Sequence, residues 1–324
     1  KSIAAPMILS EQQVSIDASI GCAMFPEDGK EFSELVEYAR SAMQQAKTVQ
    51  GSKYVRYSEQ ISFDHGGGTS LAAQLRTAVR RNQFELHYQP RIDLASGRLV
   101  GLEALLRWNH AERGLIGPID FIPLLEETGL IVAVGRWVLE SALAQLAEWH
   151  RAGWQSLAVA VNLSSHQFHE PELAQRLSES LQTYALPARC VELEITESTL
   201  LQHIPATAAT LEKLTELGFG IALDDFGTGL SSFAYLKKLP VDFIKIDGEF
   251  VRDITNDPMD RAIVSAINDI GHEIGLITVA EYVENEDVLN LLEKLGIDYV
   301  QGFAVDKPKI WLPNNVVHLS KRGQ

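Results

Sequence analysis

The chain has 324 residues, of which 46% are hydrophobic and 22% are charged, proportions typical of globular proteins. Its 28 Lys and Arg residues against 43 Asp and Glu residues give a net charge of −15. That balance argues against non-specific binding to nucleic acid, because such binding depends on Lys and Arg neutralising phosphates. The length corresponds to about two average domains, or to one small segment and one α/β barrel.

The cysteine content and the hydropathy of the chain exclude further classes of protein. Cys22 and Cys190 lie far apart, so neither a disulfide framework nor a thiolate zinc site is indicated. No stretch approaches the ~20 consecutive apolar residues that a membrane-spanning helix requires. We therefore expect a cytoplasmic location, with any membrane anchor of a longer protein encoded upstream of Lys1.

The first 64 residues predict a short α/β segment. Its expected elements, in order, are a strand at 14–20, a turn at 25–29, a helix at 31–47 and a short strand around Val55 and Tyr57. So few elements make only a marginal core. Three consecutive glycines at 66–68 then predict a flexible linker over 65–70.

Beyond the linker, strands and helices alternate. Short apolar, β-branched runs predict eight strands, at 84–94, 99–106, 157–163, 191–196, 220–224, 243–246, 277–280 and 299–301. Amphipathic stretches predict helices at 70–82, 132–152, 172–184, 206–217, 258–274 and 286–295. This alternation indicates right-handed βαβ units, and eight strands suit a closed (β/α)8 barrel better than an open sheet.

Polar side chains lie near the ends of nearly all the predicted barrel strands. They are Glu103, Asn162, Glu194 with Glu197, Asp224 with Asp225, Lys245 with Asp247, Glu281 with Glu284, and Gln301. Because such a barrel places its active site at the C-terminal ends of its strands, these side chains are expected to converge. Converging carboxylates repel one another unless cations bind, and oxygen-only ligands favour Mg²⁺ or Mn²⁺, with Ca²⁺ as a further option.

The adjacent Asp224 and Asp225 suit a two-ion site, in which a carboxylate bridges ions ~3.5–4 Å apart that activate water and clamp a phosphoryl group. Lys245 would orient the nucleophile or neutralise developing charge, and Glu281 would act as the base. Simpler interpretations exist for each residue, such as a helix cap, an Asx turn or a structural ion pair. Taken singly they are adequate, but they do not account for seven strand ends in register.

Several motifs resemble those of the EAL-domain phosphodiesterases, over about Leu71 to Pro308. They are Glu103-Ala104-Leu105 with Arg107, Asp224-Asp225-Phe226-Gly227-Thr228-Gly229 with Ser231-Ser232, and Ile244-Lys245-Ile246-Asp247. The resemblance implies a modified (β/α)8 barrel with one antiparallel strand, over 71–312, followed by a tail at 313–324. It also implies hydrolysis of cyclic di-GMP to linear pGpG with Mg²⁺ or Mn²⁺, two ions being expected and Ca²⁺ being inhibitory.

The resemblance assigns roles residue by residue. The implied metal ligands are Glu103, Asn162, Glu194, Asp224 and Asp225. The implied catalytic residues are Lys245, at the attacking water, and Glu281, the general base. The implied substrate-binding residues are Gln89, Leu105, Arg107 and Gln301, and the implied loop-stabilising residues are Glu197, Asp247 and Glu284. One position departs from the family, which usually has glycine where Tyr282 stands; this side chain either perturbs Glu281 or points outward.

The first segment resembles the C-terminal part of a GGDEF diguanylate cyclase domain, through Ser19-Ile20-Gly21, Phe25-Pro26-Glu27-Asp28-Gly29 and Ala39-Arg40-Ser41-Ala42-Met43. The GTP-binding GGDEF loop is absent and Arg40 replaces the usual Asp, so no cyclase activity is expected. The resemblance further implies a homodimer through the barrel and an upstream sensory domain.

Three functions are compatible with these motifs. The complete acid set favours a metal-dependent phosphodiesterase acting on cyclic di-GMP. The alternative is a non-catalytic cyclic di-GMP sensor, which only Tyr282 supports. A barrel hydrolase for another phosphate substrate is the third, and Arg107 in its EAL context argues against it.

Overall fold

The computed structural model describes residues 7–9, 12–14, 19–29, 32–47, 53–57, 71–201, 204–227, 236 and 239–310. The chain divides into two compact units, Lys1–Gln74 and Leu75–Gln324. The expected linker at 65–70, the tail at 313–324, and Thr228, Gly229, Ser231 and Ser232 of the aspartate motif lie outside the described residues.

The first unit contains two small sheets and one helix. Strands β1 (Met7–Leu9) and β2 (Gln12–Val14) pair antiparallel, and β3 (Ser19–Cys22) pairs parallel with β4 (Lys53–Arg56). Helix α1 (Phe32–Lys47) connects β3 and β4 and contacts both. The predicted strand–helix–strand order is therefore confirmed. The single strand predicted at 14–20 is replaced by the end of β2 and the start of β3, with residues 15–18 outside the described part.

All eight predicted barrel strands are present in the second unit, with one additional short strand. They are β5 (Phe84–Asp93), β6 (Leu99–His110), the additional β7 (Gly114–Ile116), β8 (Ala158–Asn162), β9 (Val191–Thr196), β10 (Gly220–Phe226), β11 (Phe243–Ile246), β12 (Ile277–Ala280) and β13 (Tyr299–Gln301). The sheet runs β5-β13-β12-β11-β10-β9-β8-β6, and pairing between β5 and β6 closes it. β5 is antiparallel to both its neighbours, and the other pairs around the ring are parallel. A closed eight-stranded barrel with one antiparallel strand is thus confirmed.

β6 is longer than its sequence indicates. It passes the predicted end at Leu106 and continues to His110, because its side chains go on alternating between buried and less buried and β7 folds back to pair with it. Glu103 therefore lies farther from the end of its strand than predicted, because the strand continues past Leu106. It nevertheless lies at the barrel mouth, since the pairing of β6 with β8 stops at Ala104.

Ten described helices belong wholly or mainly to this unit. They are α2 (Leu71–Arg80), α3 (Ile122–Glu127), α4 (Ile131–Arg151), α5 (Ser165–Phe168), α6 (Leu173–Tyr184), α7 (Glu197–Leu201), α8 (Ile204–Glu216), α9 (Gly248–Val251), α10 (Pro258–Glu273) and α11 (Glu286–Leu295). The six longest match the predicted helices to within a few residues at their ends. The short α3, α5, α7 and α9 were not predicted, because a helix of one or two turns carries too little periodicity to be recognised. None of the helices in the described part of the chain combines the length and apolar character needed to cross a membrane.

The barrel end opposite the mouth is filled by an ion pair. Arg91 on β5 and Glu192 on β9 form a bidentate pair, with Nη1 lying 2.7 Å from Oε1, and both side chains are buried. The rings of Phe243 and Tyr299, the first residues of β11 and β13, lie 5.2 and 5.6 Å from the Arg91 guanidinium carbon. These four side chains form the floor of the barrel. A buried pair of this kind is tolerated because each charge has its partner within hydrogen-bonding distance.

Candidate active site

Lys245 is the centre of the polar cluster at the barrel mouth. Its Nζ lies 2.8 Å from Oε2 of Glu194, 2.9 Å from Oδ1 of Asp224 and 2.9 Å from Oε1 of Glu281. Oε2 of Glu103 lies 3.8 Å away, and the lysine side chain is only 1% exposed. Four carboxylates, brought by four different strands or strand ends, thus surround a single ammonium group.

Amide side chains hold Glu103 in place. Nδ2 of Asn162 donates to its Oε1 at 2.7 Å, and Nε2 of Gln301 donates to its Oε2 at 2.5 Å. Nε2 of Gln301 also lies 3.2 Å from Oε1 of Gln89, which faces Glu103 directly across the β5–β6 pairing. The antiparallel strand therefore contributes to the site by bringing Gln89 against the parallel strands.

A β-bulge places two consecutive aspartates in the same cavity. In a regular strand, successive side chains point to opposite faces. The pairing of β10 with β11 shifts between Leu223 and Phe226, and Asp225 has a φ of +53°. This kink re-aims Asp225, so that its carboxylate lies on the same side as that of Asp224. One carboxylate oxygen from each aspartate and one from Glu281 all lie within 4.8 Å of one another.

The cluster shifts the pKa values of its members in opposite directions. Burial favours the neutral form of Glu103, but the Lys245 ammonium and the hydrogen bond from Gln301 outweigh it and lower the pKa. Burial and the negative charge of Glu103 hold the pKa of Glu194 well above its ordinary value. Glu103 is therefore favoured as a carboxylate, whereas burial and the charge of Glu103 make the ionisation of Glu194 costly.

Two further acids have raised pKa values. Burial, with a further contribution from the charge of Asp224, raises the pKa of Glu281 to about 8. The Lys245 ammonium lowers this pKa and only partly offsets the two effects. Burial, the neighbouring Asp224 and a hydrogen bond with Asp247 raise the pKa of Asp225 to about 6. Lys245 shows the complementary shift: burial opposes its charge, but the carboxylates around it, Asp224 first among them, raise its pKa well above the ordinary value. It is therefore an ammonium ion at neutral pH.

The donor set suits a hard divalent cation. Oε1 of Glu194 is buried and makes no hydrogen bond within the described part of the chain. Such an oxygen is costly to bury unless something binds it. The surrounding donors are carboxylate and amide oxygens, the ligand type that Mg²⁺, Mn²⁺ and Ca²⁺ prefer.

Residues 72–308 match the sequence profile of the EAL domain. The chain belongs to the EAL-domain family. Among curated relatives, the bifunctional diguanylate cyclase/cyclic di-GMP phosphodiesterase MucR of Pseudomonas aeruginosa is 41% identical over 308 residues, which cover 95% of this chain and 45% of MucR. The cyclic di-GMP phosphodiesterase PdeR of Escherichia coli K12 is 36% identical over 296 residues, which cover 91% of this chain and 44% of PdeR. The chain thus spans less than half the length of these relatives.

Solved structures support the same assignment. The EAL barrel superposes on the PaMucR phosphodiesterase in complex with c-di-GMP with a TM-score of 0.72 at 43% identity, covering 74% of this chain and 98% of that one. The FimX EAL domain of Pseudomonas aeruginosa bound to c-di-GMP gives a TM-score of 0.68 at 30% identity, covering 74% of this chain and 97% of that one.

Most of the predicted site residues line one cavity of the EAL barrel, with a volume of about 390 Å³. Those on its wall are Gln89, Glu103, Leu105, Arg107, Asn162, Asp224, Asp225, Lys245, Glu281, Glu284 and Gln301. The other three, Glu194, Glu197 and Asp247, are not on the wall. Glu194 lies behind Lys245, Glu197 is buried at the start of α7, and Asp247 caps α9 by accepting a hydrogen bond from the Glu249 N–H at 2.6 Å. The loop that these residues were expected to brace lies partly outside the described residues.

Three residues at the rim of the cavity were not predicted from the sequence. Ile119, Phe303 and Pro308 also line the cavity, and Ile119 is 86% exposed. They lie in a 3₁₀ turn and in the segment after β13, where no periodic pattern marks them. Exposed apolar side chains beside a polar cleft are typical of ligand-binding surfaces, a signal that appears only once the fold brings them together.

Proposed function

We propose that this EAL barrel hydrolyses cyclic di-GMP to linear pGpG in a reaction that depends on divalent cations. The observation that carries the proposal is the convergence of carboxylate and amide donors around one cavity, with Glu103, Asn162, Asp224 and Asp225 on its wall and Glu194 behind Lys245, beside the Glu281 carboxyl of raised pKa. The relatives named as cyclic di-GMP phosphodiesterases, and the c-di-GMP complexes of similar barrels, support the choice of substrate.

In this proposal, Glu103, Asn162, Glu194, Asp224 and Asp225 hold one or two Mg²⁺ or Mn²⁺ ions, with Ca²⁺ as an inhibitory ion. Bound ions of this kind lower the pKa of water and neutralise charge on a phosphoryl group. The remaining steps belong to the side chains of this chain.

Glu281 accepts a proton from the attacking water. Burial raises the pKa of Glu281 to about 8, so its carboxylate is a stronger proton acceptor than that of an ordinary glutamate. Lys245 carries a positive charge that stabilises the charge developing on the phosphorane oxygens. A new bond forms between phosphorus and the water oxygen, and the bond from phosphorus to a ribose 3′ oxygen breaks. The released oxygen takes up a proton and becomes the 3′ hydroxyl of pGpG.

Substrate binding is assigned to the cavity wall. Arg107 is half-buried at the rim, where its guanidinium can meet a phosphate, and Gln89, Leu105 and Gln301 line the space for a nucleotide. Glu197, Asp247 and Glu284 are assigned to support of the loop that follows Asp225.

The second candidate is a sensor that binds cyclic di-GMP without hydrolysing it, and Tyr282 is the observation that favours it. To separate the two, the purified chain is incubated with cyclic di-GMP and Mg²⁺, Mn²⁺ or EDTA, and the products are separated by chromatography. Metal-dependent formation of pGpG establishes the phosphodiesterase. Tight binding of cyclic di-GMP without any product assigns the chain to the sensors instead.

We also propose the wider organisation of the chain. Residues 1–64 are a partial GGDEF-like segment without cyclase activity, residues 65–70 a linker, residues 71–312 the phosphodiesterase barrel and residues 313–324 a tail. The proposed assembly is a homodimer through the barrel, regulated by an upstream sensory domain, in the cytoplasm or anchored through upstream sequence. Light scattering on the purified chain tests the dimer.

A further inference from the structure

Tyr282 occupies a backbone position that disfavours its side chain. It directly follows Glu281 and has a φ of +51°, in the left-handed region where glycine and asparagine are at home. A tyrosine in this conformation is strained, and such strain persists only where the surrounding structure holds it. The contacts of the ring show what holds it.

The ring lies on the short helix α9. A Cβ atom added to Gly248, the first residue of α9, would overlap Cγ and Cδ2 of Tyr282, so only glycine fits beneath the ring. Arg252, which follows α9, places its guanidinium carbon 4.3 Å from the ring centroid, a cation–π contact. The phenol ring is therefore held between a glycine backbone and an arginine.

These contacts join the two segments that carry the centre of the site. Helix α9 follows β11, which bears Lys245, while Tyr282 follows Glu281 at the end of β12. The Lys245–Glu281 contact of 2.9 Å spans the same two segments a short distance away. A shift of the ring on α9 would move the backbone that carries the Glu281 carboxylate.

We propose that Tyr282 is a positioning residue for Glu281. The ring, held between Gly248 and Arg252, fixes the segment after β12 against the segment after β11 and so sets the place of the Glu281 carboxylate beside Lys245. The role rests on the proposed function, in which Glu281 is the base. A displaced base loses turnover steeply while substrate affinity is retained.

The test compares side chains that separate the ring from the backbone strain. Tyr282→Gly removes the ring and relieves the strain, Tyr282→Asn removes the ring but tolerates the left-handed backbone, and Tyr282→Phe keeps the ring. Arg252→Ala removes the cation–π contact with the ring and leaves Tyr282 itself unchanged. Arg98→Ala is the charge-matched control, because Arg98 is exposed on the turn between β5 and β6 at the opposite end of the barrel. For each, kcat and KM for cyclic di-GMP with Mn²⁺ and the melting temperature are measured.

We expect kcat to fall about tenfold or more in Tyr282→Gly and Tyr282→Asn, with KM changed by less than about twofold. Tyr282→Phe should keep most of the wild-type kcat, and Arg98→Ala should match the wild type. The kcat of Arg252→Ala should lie between those of Tyr282→Phe and Tyr282→Gly. Wild-type kcat in Tyr282→Gly overturns the inference, as does a loss confined to KM, which would indicate a substrate-binding wall. An equal loss in Tyr282→Phe overturns it in favour of a role for the hydroxyl.

The melting temperatures guard against misfolding. If the two variants that lack the ring do not unfold cooperatively, the inference is tested with Arg252→Ala, which leaves the Tyr282 backbone unchanged. A reduced kcat in Arg252→Ala supports the positioning role of Tyr282, and an unchanged kcat overturns it. A failure of the proposed function is seen separately, because the wild-type chain would then form no pGpG. In that case the positioning role falls with it.

Discussion

Oε1 of Glu281 lies 2.9 Å from Nζ of Lys245, and yet burial and nearby carboxylates raise the pKa of Glu281 to about 8. The ammonium lowers this pKa, but it is shared with Glu194, Asp224 and, at 3.8 Å, Glu103. One positive charge is thus divided among four acids. Because the ammonium is shared, it only partly offsets burial, and Glu281 therefore titrates close to neutral pH. A carboxyl group that titrates in this range is a better proton acceptor than an ordinary glutamate.

Glu281→Gln removes the base while keeping the shape of the side chain and an oxygen for Lys245. We expect kcat to fall by about 10²–10⁴-fold, the usual contribution of general base catalysis. Cyclic di-GMP binding, measured by calorimetry, should be largely retained. Glu293→Gln, an exposed change on α11, is the matched control. Turnover above half the wild-type rate in Glu281→Gln would contradict the assignment of the base.

Glu103→Ala is expected to weaken metal binding and turnover together. The variant removes a proposed ligand and also the carboxylate that accepts hydrogen bonds from the exposed Asn162 and the buried Gln301, which keeps only its longer contact with Gln89. A buried donor that loses its main acceptor costs up to about 1–3 kcal/mol, so the melting temperature should also fall. Mn²⁺ titration and calorimetric unfolding measure the two effects, with the exposed Glu112→Ala as control. Normal Mn²⁺ affinity in Glu103→Ala would remove Glu103 from the metal site.

Glu194→Gln should have the opposite effect on stability. Because burial and Glu103 raise the pKa of Glu194, its charge is unfavourable in the metal-free protein, and a neutral isostere relieves that cost. We expect the melting temperature in EDTA to rise by about 2–4 °C for each kcal/mol gained. Mn²⁺ affinity should drop at the same time. A lower melting temperature in EDTA would show that the Lys245 contact outweighs the burial cost.

The stability of the metal-free protein should depend on pH. The pKa values of Glu281 and Asp225 are raised to about 8 and about 6. A raised carboxyl pKa stabilises the folded state in full below the ordinary value, and this contribution is lost as pH rises through the raised value. The melting temperature in EDTA should therefore fall between pH 5 and pH 8.5. A carboxyl whose pKa is one unit higher in the folded state contributes at most about 1.4 kcal/mol to this change. A melting temperature that stays constant over this range would contradict the raised pKa values.

Metal binding should release protons from the same site. Ligation requires deprotonated carboxylates, so Mg²⁺ binding at pH 7 should release protons, mainly from Glu194, the proposed ligand whose pKa burial and Glu103 hold well above its ordinary value. Calorimetric titration in buffers of different ionisation enthalpy counts these protons. Metal binding without proton release at pH 7 would show that Glu194 is already ionised or is not a ligand.

The barrel strands could be predicted because their apolar, β-branched runs differ in period from the amphipathic helices between them. The acids could be predicted as a group because each lies near the carboxyl end of such a run. The bulge at Asp225 could not, because it depends on how β10 pairs with β11 and not on a local preference. Nor could the direct pairing of Gln89 with Glu103, which is set by the antiparallel register of β5 and β6.

Long-range contacts of single side chains also escape sequence reasoning. Arg91 and Glu192 are 101 positions apart, and each is a charged residue that the fold buries inside a barrel strand. Such a residue indicates that a buried partner is needed but does not identify it. The same holds for Gly248, whose lack of a side chain is explained only by the ring of Tyr282 above it.

The floor made by Arg91 and Glu192 has a consequence for traffic through the barrel. With that end filled by a buried ion pair and two aromatic rings, the described cavity communicates with solvent through its mouth. In the described part of the barrel, substrate and product therefore share the mouth of the cavity. A product molecule that stays bound there blocks the next substrate molecule from binding.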